Sequence, residues 1–350
     1  MLTTARLEQI LDRIPSLTLG VLGDLFLDRY LDIDAALTEP SIETGLDAYQ
    51  VVRVRSYPGA AGTVINNLTA LGVGQIHALA LLGDDGEGYE LLQALAQQAR
   101  VNADGVRRVT GHPFRTPTYT KPMFHEAGQQ LRELNRLDIK NHSPAPPGFG
   151  DRVLQTLNEI WPALDALLVL DQVSQPECGV VTTAVRNRLA ALGDSAPDKV
   201  ILADSRERIG LFRSVWLKPN LAECVRAVQG AANASAEAEG CVVELARRTG
   251  RPIFCTRGEQ GIWLVDPRPS SPQISAVPAY PVTGPIDVVG AGDSTSAGIA
   301  CALAAGASLT EAAAFGNLVA SITIQQLGTT GTATPEQMRQ RWRQVTAVQS

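Results

Sequence analysis

Short, mostly apolar runs alternate with polar and helical stretches along most of this chain. Five of these runs have the length of a buried strand, and each is followed at once by a glycine or a polar residue. They lie at 17–22, 75–82, 165–170, 199–203 and 251–255. A repeat of strand, polar end and helix is typical of the α/β class. The pattern therefore predicts a mainly parallel sheet with helices on both faces.

A different hydrophobic pattern separates the first two of these strands. Residues 31–57 lack helical spacing, and residues 49–57 alternate between polar and apolar positions. Such alternation is typical of a strand with one exposed face. On the pattern alone, this segment fits an edge hairpin of the main sheet.

The last long apolar stretch follows a glycine-rich turn. Small apolar residues continue over 294–305 and Gly306 fits a C-terminal stop, which predicts a buried helix. The first N–H groups of a helix lack partners within it, and glycine allows an anion to approach them. Asp293 would repel that anion unless it accepts a proton from a neighbouring hydroxyl. This combination fits an anion cradle with a base, as phosphoryl transfer to an alcohol requires, and a plain N-cap aspartate is the alternative. The candidate residues are Gly290, Ala291, Gly292 and Asp293.

Three of the predicted strands are followed by an aspartate. These are Asp24, Asp171 and Asp204. Ligands of open α/β sheets bind past the carboxyl ends of the strands, which makes Asp24 a candidate for binding substrate hydroxyls. A turn residue is the alternative.

Composition narrows the classes of function. The 350 residues suffice for one large domain, and the loop rich in Pro and Gly at 141–150 is interpreted as a connection within it. A net charge of −6 argues against a nucleic-acid binder. Five widely spaced cysteines without a C-x-x-C pair fit reduced thiols of a cytoplasmic protein. Residues 1–15 fit an amphipathic helix rather than a signal peptide, and no run approaches about 18 apolar residues, so no membrane partner is expected.

Several motifs resemble those of the ribokinase-like (PfkB) carbohydrate kinases. Residues 287–293 resemble the signature D-T-x-G-A-G-D, with valines at and after the threonine position. Residues 58–72 resemble the motif P-G-G-A-A-N, with Ala60 at a glycine position and Thr63 at an asparagine position. Further matches lie at 83–88, 204–206, 218–223 and 256–261. The ordered set spans most of the chain.

Two more stretches, 23–30 and 129–138, resemble the bacterial heptose-7-phosphate kinases, a branch of this family. The resemblance implies ATP-dependent phosphorylation of a sugar or sugar phosphate. The first candidate is D-glycero-D-manno-heptose 7-phosphate, phosphorylated at its anomeric hydroxyl. The alternatives are a kinase for another sugar, such as ribose or fructose, and a non-catalytic sugar- or nucleotide-binding regulator on the same fold. Thr63 and Ser174, which replace family residues near the sugar, keep these alternatives open.

The resemblance also implies an architecture and cofactors. The fold would be a three-layer α/β sandwich in a single domain over 1–350. Lid strands from about 31–57 and 114–124 would cover the sugar. ATP and Mg²⁺ are the implied cofactors, with a monovalent cation as a further option. A homodimer through the lid is another option, because similar kinases often dimerise in this way.

The family motifs assign roles to individual residues. Asp293 would be the base, and the N–H groups of Ala291, Gly292 and Asp293 would hold charge on the transferred phosphoryl group. The implied sugar ligands are Asp24, Gly59, Thr63, Asn67, Lys121 and Asp171. The implied nucleotide ligands are Thr256, Arg257, Gly258, Gly261, Asn220 and Asn317. The implied metal ligands are Glu223 and Asp287. A helix-capping pair is the alternative for Asn220 and Glu223, and a solvated lid lysine is the alternative for Lys121.

Overall fold

The fold is described from a computed structural model that covers residues 2–230, 238–270 and 272–347. The strands are β1 (Thr18–Gly23), β2 (Leu25–Asp34), β3 (Glu39–Pro40), β4 (Asp47–Ala48), β5 (Val51–Ala60), β6 (Gln75–Gly83), β7 (Val101–Val109), β8 (Thr118–His125), β9 (Arg132–Glu133), β10 (Leu137–Ile139), β11 (Ala166–Asp171), β12 (Val200–Ser205), β13 (Trp216–Leu217), β14 (Ile253–Thr256), β15 (Ile262–Val265) and β16 (Ile274–Val277). The helices are α1 (Thr4–Arg13), α2 (Ala61–Leu71), α3 (Gly86–Ala96), α4 (Phe149–Ile160), α5 (Thr183–Ser195), α6 (Leu221–Gln229), α7 (Ala238–Thr249), α8 (Ala291–Ala304), α9 (Leu309–Thr323) and α10 (Pro335–Ala347).

Among the described residues, nine strands form the main sheet, in the order β16-β15-β14-β13-β12-β11-β1-β6-β7. The pairs from β14 through β7 are parallel, whereas β15 runs antiparallel to both of its neighbours. The five runs predicted as buried strands are β1, β6, β11, β12 and β14. Every residue of β11 and β12 is buried, as expected for parallel strands covered on both faces.

Helices cover both faces of this sheet. Helices α1, α2, α8, α9 and α10 pack on one face, where Phe315 of α9 is fully buried. Helices α4, α5, α6 and α7 pack on the other face, where Leu189 of α5 is fully buried. The predicted three-layer α/β sandwich is confirmed. Over the ranges described above, no helix has the length and apolar character that crossing a membrane requires.

The polar-patterned segments form a separate small sheet, the lid. Within the described ranges it has five strands in the order β10-β8-β2-β5, with β9 paired to β8. Strands β5 and β8 lie close to the predicted lid segments 31–57 and 114–124, and an edge hairpin of the main sheet is not what forms. The lid is larger than predicted because β2 begins at Leu25 and β10 is added. A single residue, Asp24, separates β2 from β1. The single-domain organisation over residues 1–350 stays a prediction.

Candidate active site

The candidate site lies where the carboxyl ends of β1, β11 and β12 meet the N-termini of α2 and α8. Lid strand β5 leads directly into α2 through Ala60, so the lid borders the same cleft. A Cβ placed on Gly290, which precedes α8, would lie 3.4 Å from Cγ2 of Thr63 in α2. The two helix starts are therefore in contact across the cleft.

The start of α8 is open to an anion. Gly290 is the N-cap, its backbone is left-handed with φ 78°, and no side chain caps the helix. The Ala291 N–H donates to the Val288 carbonyl at 3.1 Å. The N–H groups of Gly292 and Asp293 have no such partner within the described residues. Two of the three predicted amide donors are therefore free, and the third is used within the turn.

Asp293 lies in the first turn of α8 with some solvent contact and no hydrogen-bond partner among the described residues. Burial, followed by the nearby Asp204 carboxylate, raises its pKa to about 7. The charges of Lys218 and Arg206 oppose that rise, and Asp28 adds to it. A carboxylate with this pKa and free lone pairs can accept a proton near neutral pH. The geometry of an N-cap aspartate is not observed, because the N-cap is Gly290.

Lys218 adds a cation that the sequence analysis did not identify. Its ammonium Nζ lies 2.9 Å from Oδ2 of Asp204 at the end of β12, and both residues are buried. The same Nζ would lie 3.6 Å from a Cβ placed on Gly292. Burial lowers the pKa of Lys218, but the carboxylates of Asp204, Glu223 and Asp293 oppose this and the net direction is upward. A charged ammonium therefore lies beside the free amides of α8.

The lid supplies a second carboxylate that acts on Asp293. Asp28 of β2 packs so closely on Gly59 that a Cβ at position 59 would collide with its Oδ2. Lys121 of β8 lies 3.4 Å from Oδ1 of Asp28 and donates to the Tyr30 hydroxyl at 3.0 Å. Burial raises the pKa of Asp28, and Lys121 opposes the rise. The structure thus brings together two predicted sugar ligands, Gly59 and Lys121, around an aspartate that was not predicted.

Asp24 is engaged in the protein interior. Its Oδ2 accepts the N–H groups of Gln172 and Val173 at 2.8 and 2.9 Å, and its Oδ1 accepts the N–H of Val180 at 2.8 Å. Burial and then Asp171 raise its pKa to about 6, while the three amides oppose the rise. This geometry matches the structural alternative, in which Asp24 holds a turn. Its role as a sugar ligand stays a prediction.

Asp171 is similarly occupied. It accepts a hydrogen bond from Oγ of Ser205 at 2.7 Å and forms an ion pair with Arg208 at 2.5 Å. Arg208 also donates to the carbonyls of Val173 and Ser174. Asp171 and Arg208 therefore fix the loop that follows β11, and a sugar contact by Asp171 stays a prediction.

The first turns of α2 carry two further predicted sugar ligands. Thr63 is buried against the α8 turn, as its contact with position 290 shows. Asn67 donates from Nδ2 to the Thr63 carbonyl at 2.9 Å, and its buried Oδ1 has no partner among the described residues. Ala60, at a family glycine position, has φ 54° and ψ −115°, a conformation that side chains rarely adopt.

The predicted nucleotide turn links β14 to β15. The Arg257 N–H donates to the Gly261 carbonyl at 2.8 Å, and Gly261 has φ 82°. The N–H of Thr256 donates to the Pro219 carbonyl at 2.9 Å, which ties the turn to the segment before α6. The Arg257 guanidinium stacks over Trp263 at 3.7 Å from the ring centroid. The turn, including Gly258, thus borders Lys218 through the Pro219 segment.

Asn317 and Asn220 both make structural hydrogen bonds. Asn317 of α9 donates from Nδ2 to the carbonyls of Val277 and Pro278 at 3.2 and 3.0 Å. Asn220 is the N-cap of α6, and its Oδ1 accepts the Glu223 N–H at 2.9 Å. Both side chains therefore position backbone around the predicted nucleotide turn, and nucleotide contacts by them stay predictions.

The two predicted metal ligands, Glu223 and Asp287, differ in how many of their carboxylate oxygens already accept hydrogen bonds. Glu223 completes the capping box by accepting the Asn220 N–H at 2.8 Å through Oε2, which is the capping alternative. Burial, then Asp204, raises its pKa, and its other oxygen has no partner among the described residues. Asp287 accepts the N–H groups of Val289 and Gly328, both at 3.0 Å, through its two oxygens. Glu223 fits a Mg²⁺ ion held mainly by phosphates better than Asp287 does.

Two residues of the site, Asp28 and Lys218, were missed for different reasons. Asp28 lies within the motif at 23–30, but the end of the predicted strand favours Asp24, four positions earlier, as the ligand. Lys218 directly precedes the Pro-Asn motif at the end of a strand, which was the available signal. Its partner Asp204 lies on another strand, so no local pattern indicates the pair.

Comparison with known proteins places these features in a family. The model of the pfkB family carbohydrate kinases matches residues 154–337. Bifunctional protein HldE of Pelobacter propionicus is 30% identical over 342 residues, covering 94% of this chain and 64% of the relative. Bifunctional protein HldE of Rhodopseudomonas palustris is 29% identical over 324 residues, covering 92% and 63%. The chain thus spans less than two thirds of the length of these relatives.

Solved structures show the same fold. Ribokinase of Arabidopsis thaliana, complexed with ribose and ATP, superimposes with a TM-score of 0.65 at 17% identity, covering 93% of this chain and 98% of that one. Phosphofructokinase-2 of Escherichia coli, in complex with potassium, gives 0.67 at 18% identity, covering 94% and 99%. The predicted ribokinase-like fold is confirmed by these likenesses.

Proposed function

This chain belongs to the pfkB family of carbohydrate kinases, and we propose that it transfers the γ-phosphoryl group of ATP to a hydroxyl of a sugar or sugar phosphate. The observation that supports this most is the start of α8. There Asp293, whose pKa is about 7, lies beside two free amides and the buried Lys218 ammonium. A base next to an anion site is the pairing that phosphoryl transfer to an alcohol needs.

In the proposed reaction, Asp293 accepts the proton of the attacking hydroxyl. The hydroxyl oxygen forms a bond to the γ-phosphorus, the bond from that phosphorus to the bridging oxygen breaks, and ADP leaves. The N–H groups of Gly292 and Asp293 hold charge on the transferred group, and Lys218 adds a third donor. Bound Mg²⁺ would neutralise charge on the nucleotide phosphates, and Glu223 is the residue of this chain proposed to face it.

On the lid side of the site, Asp28, Gly59 and Lys121 are the proposed sugar contacts. Asp28 replaces Asp24 in this role because Asp24 already accepts three backbone N–H groups. Asp28, by contrast, faces Gly59 and is close enough to Asp293 to affect its pKa. A carboxylate accepts hydrogen bonds from sugar hydroxyls and orients them towards the base.

The proposed substrate is D-glycero-D-manno-heptose 7-phosphate, phosphorylated at its anomeric hydroxyl. The motifs at 23–30 and 129–138 support this choice, and both lie in or beside the lid. Lys121 and Arg136 are cations of the lid close to Asp28, which suits a substrate that carries its own phosphate. A kinase for another sugar is the second candidate, because Thr63 occupies an asparagine position.

The lid is also the proposed dimer surface. Strand β5 exposes Val52 and Val54, at 57% and 55% of their surface, on a sheet that stands outside the main sandwich. Burying such side chains against a second copy would be favourable. Sedimentation of the protein at several concentrations tests this, and a monomer at every concentration would refute it. The monovalent cation stays a prediction to which no site is assigned.

The kinase proposal is tested by ADP release from ATP with a panel of acceptors. The panel contains heptose 7-phosphate, ribose, fructose and fructose 6-phosphate, and the Asp293→Asn protein prepared in parallel controls for contaminating kinase. Release with heptose 7-phosphate well above the other sugars supports the full proposal. Release with another sugar supports the family activity alone. Binding of sugar and nucleotide without ADP release would identify a regulator and refute the kinase proposal.

A further inference from the structure

A buried ion pair lies directly beneath the candidate anion site. Lys218 follows β13 and Asp204 lies near the end of β12, and the two strands are parallel neighbours. The Lys218 N–H donates to the Ala203 carbonyl at 2.9 Å, which fixes the backbone of the lysine beside that of the aspartate. The side chains then meet at 2.9 Å, with 3% of Lys218 and 8% of Asp204 exposed. The pair is thus held from two adjacent strands.

The position of this lysine is electrostatically unfavourable without its partner. Burial removes water from the ammonium, and the N-terminus of α8 carries a partial positive charge of its own. Asp204 offsets both effects. An ammonium kept charged at the start of a helix adds to the attraction for an anion, so the pair concentrates positive potential where the phosphoryl group is proposed to lie.

Four charged groups have the largest effects on the base after its burial. Asp293 on α8 is influenced by Asp204 from β12, Lys218 after β13, Arg206 after β12 and Asp28 from the lid. Lys218 in turn is influenced by Asp204, Glu223 and Asp293. Asp204 also accepts a weak hydrogen bond from Ser296 of α8 at 3.4 Å. Asp204 therefore lies between the lysine and the helix that carries the base.

We propose that Asp204 is a positioning residue, which holds the Lys218 ammonium against the first turn of α8 and keeps that ammonium from pairing with the base Asp293. This inference rests on the proposed kinase function. Without Asp204, the carboxylates of the described residues that act on Lys218 include those of Asp293 and Glu223. The ammonium would then turn toward them, and Asp293 would become an ion-pair partner rather than a free base.

The test uses single and paired substitutions, because the two partners act on Asp293 with opposite sign. Asp204→Asn removes a negative charge and frees the ammonium, so the pKa of Asp293 falls and the acid limb of kcat/KM moves to lower pH. Lys218→Met removes a positive charge, so the limb moves to higher pH. Each shift should be about one pH unit. The double variant should lie between the two singles, since both charges are gone.

The rate provides a second readout. Asp204→Asn should lower kcat on the order of 10²-fold, because misplacing a catalytic group by about 1 Å costs that much. Asp204→Glu keeps the charge and should recover part of that loss. Asp266→Asn is the matched control, since it removes an aspartate from an exposed pair with Arg268. It should leave both kcat and the acid limb unchanged.

A carboxyl ¹³C titration of Asp293 in the free protein, assigned with Asp293→Asn, separates this inference from the kinase proposal because it needs no substrate. Two results together support the positioning role even if no sugar is phosphorylated. The shifts in Asp204→Asn and Lys218→Met must be opposite, and Asp204→Asn must lower the pKa of Asp293 more when Lys218 is present than in the Lys218→Met background, where only the direct charge effect remains. Shifts of the same sign, no shift in either variant, or an equal fall in both backgrounds overturn it. Should Asp204→Asn fail to fold, Asp204→Glu takes its place, because it keeps the charge but displaces the ammonium. It must then change the pKa of Asp293 more with Lys218 present than in the Lys218→Met background, and an equal change in both refutes the proposal.

Discussion

Asp24 and Asp293 are two aspartates at the same edge of the sheet with opposite hydrogen-bonding states. Burial is the largest cause that raises both pKa values, to about 6 for Asp24 and about 7 for Asp293. Asp24 accepts three backbone N–H groups and ties the loop after β11 to β1. Asp293 has no hydrogen-bond partner among the described residues and sits beside unpaired amides.

The difference shows that a raised pKa does not by itself identify a base. Perturbed carboxyl groups cluster at functional sites, but structural networks perturb them as well. What distinguishes Asp293 is the availability of its lone pairs at a place where a reacting hydroxyl can reach them. Both carboxylate oxygens of Asp24 already accept backbone N–H groups. Mutation of Asp24 should therefore change mainly the stability of the protein, and mutation of Asp293 mainly its turnover.

The largest expected effect separates the two aspartates directly. Asp293→Asn should cut kcat by roughly 10²–10⁴-fold, because the proton acceptor is lost while the side-chain shape is kept. Its melting temperature should stay at or above that of the wild type, since a neutral amide replaces a carboxylate whose charge is disfavoured by partial burial and by Asp204. Turnover and a thermal melt on the same preparation provide the measurement.

The matched variant Asp24→Asn should show the reverse pattern. Its new NH₂ group faces backbone N–H donors, and a buried donor without an acceptor costs about 1–3 kcal/mol. The melt should therefore fall, whereas turnover of the folded protein should fall far less than in Asp293→Asn. A loss of turnover in Asp24→Asn as large as in Asp293→Asn, without a loss of stability, would restore Asp24 as a direct ligand.

The next effect concerns the amides beside the base. Gly292→Ala introduces a methyl group 3.6 Å from the Lys218 Nζ, an ordinary contact that the fold accepts. That methyl group would lie beside the ammonium at the start of α8, where the phosphoryl group is proposed to bind, so kcat should fall about 10²–10³-fold, as on loss of one preorganised donor. Activity near the wild-type level with an unchanged melt would remove Gly292 from the anion site.

Gly290→Ala is the contrasting variant at the same turn. Gly290 has φ 78°, and a Cβ there would press on Thr330 at 3.2 Å and on Thr63 at 3.4 Å. Alanine at this position should therefore lower the melting temperature as well as kcat. The two glycines thus distinguish a backbone that needs glycine for its conformation from one that needs it for access.

Features that depend on a few adjacent residues could be predicted from the local sequence pattern. Strand β11, with its run of Leu and Val, and the α8 turn at Gly290 were recognisable because burial and backbone conformation leave a signature in a few adjacent residues. The ordered family motifs extended this to the three-layer fold. Asp293 could also be proposed as the base from the local pattern, since it directly follows the glycines of the turn.

Features that depend on which strands become neighbours could not be predicted in the same way. Lys218 becomes part of the site only because β13 pairs with β12 and brings it to Asp204. Asp28 faces Gly59 only because β2 pairs with β5 in one particular register. Asp24 looked like a ligand because strand ends bind ligands, and its three amide partners come from a loop about 150 positions away.

A smaller effect is expected from pH. The pKa of Asp293 is about 7, raised from its ordinary value, and a base acts only when deprotonated. Activity should therefore be full above this pKa and fall about tenfold for each pH unit below it. A kcat/KM profile from pH 5.5 to 9 provides the measurement, and Asp24→Asn should keep the same limb. A limb at pH 4 to 5 would show that Asp293 titrates as an ordinary exposed carboxyl.

The smallest effect is expected for a substitution at Ala60, which belongs to the region around Asp24. Ala60 has φ 54°, and the N–H of the next residue, Ala61, donates to the Asp24 carbonyl at 3.0 Å. A side chain in such a conformation destabilises the folded protein by about 1–3 kcal/mol, and glycine removes that strain. Glycine also makes the unfolded chain more flexible, which lowers the free energy of unfolding by about 0.4–1 kcal/mol. Ala60→Gly should therefore stabilise the protein by about 1 kcal/mol, or about 1–3 °C in Tm.

Because Ala60 belongs to the region around Asp24 and not to that around the base, the acid limb of the pH profile set by Asp293 should not move. Ala61→Gly, a helical position with ordinary backbone angles, is the matched control and should lower Tm by a similar amount. If Ala60→Gly also lowers Tm, the positive-φ conformation of Ala60 carries no strain, and the neighbourhood of Asp24 is held by its amides alone.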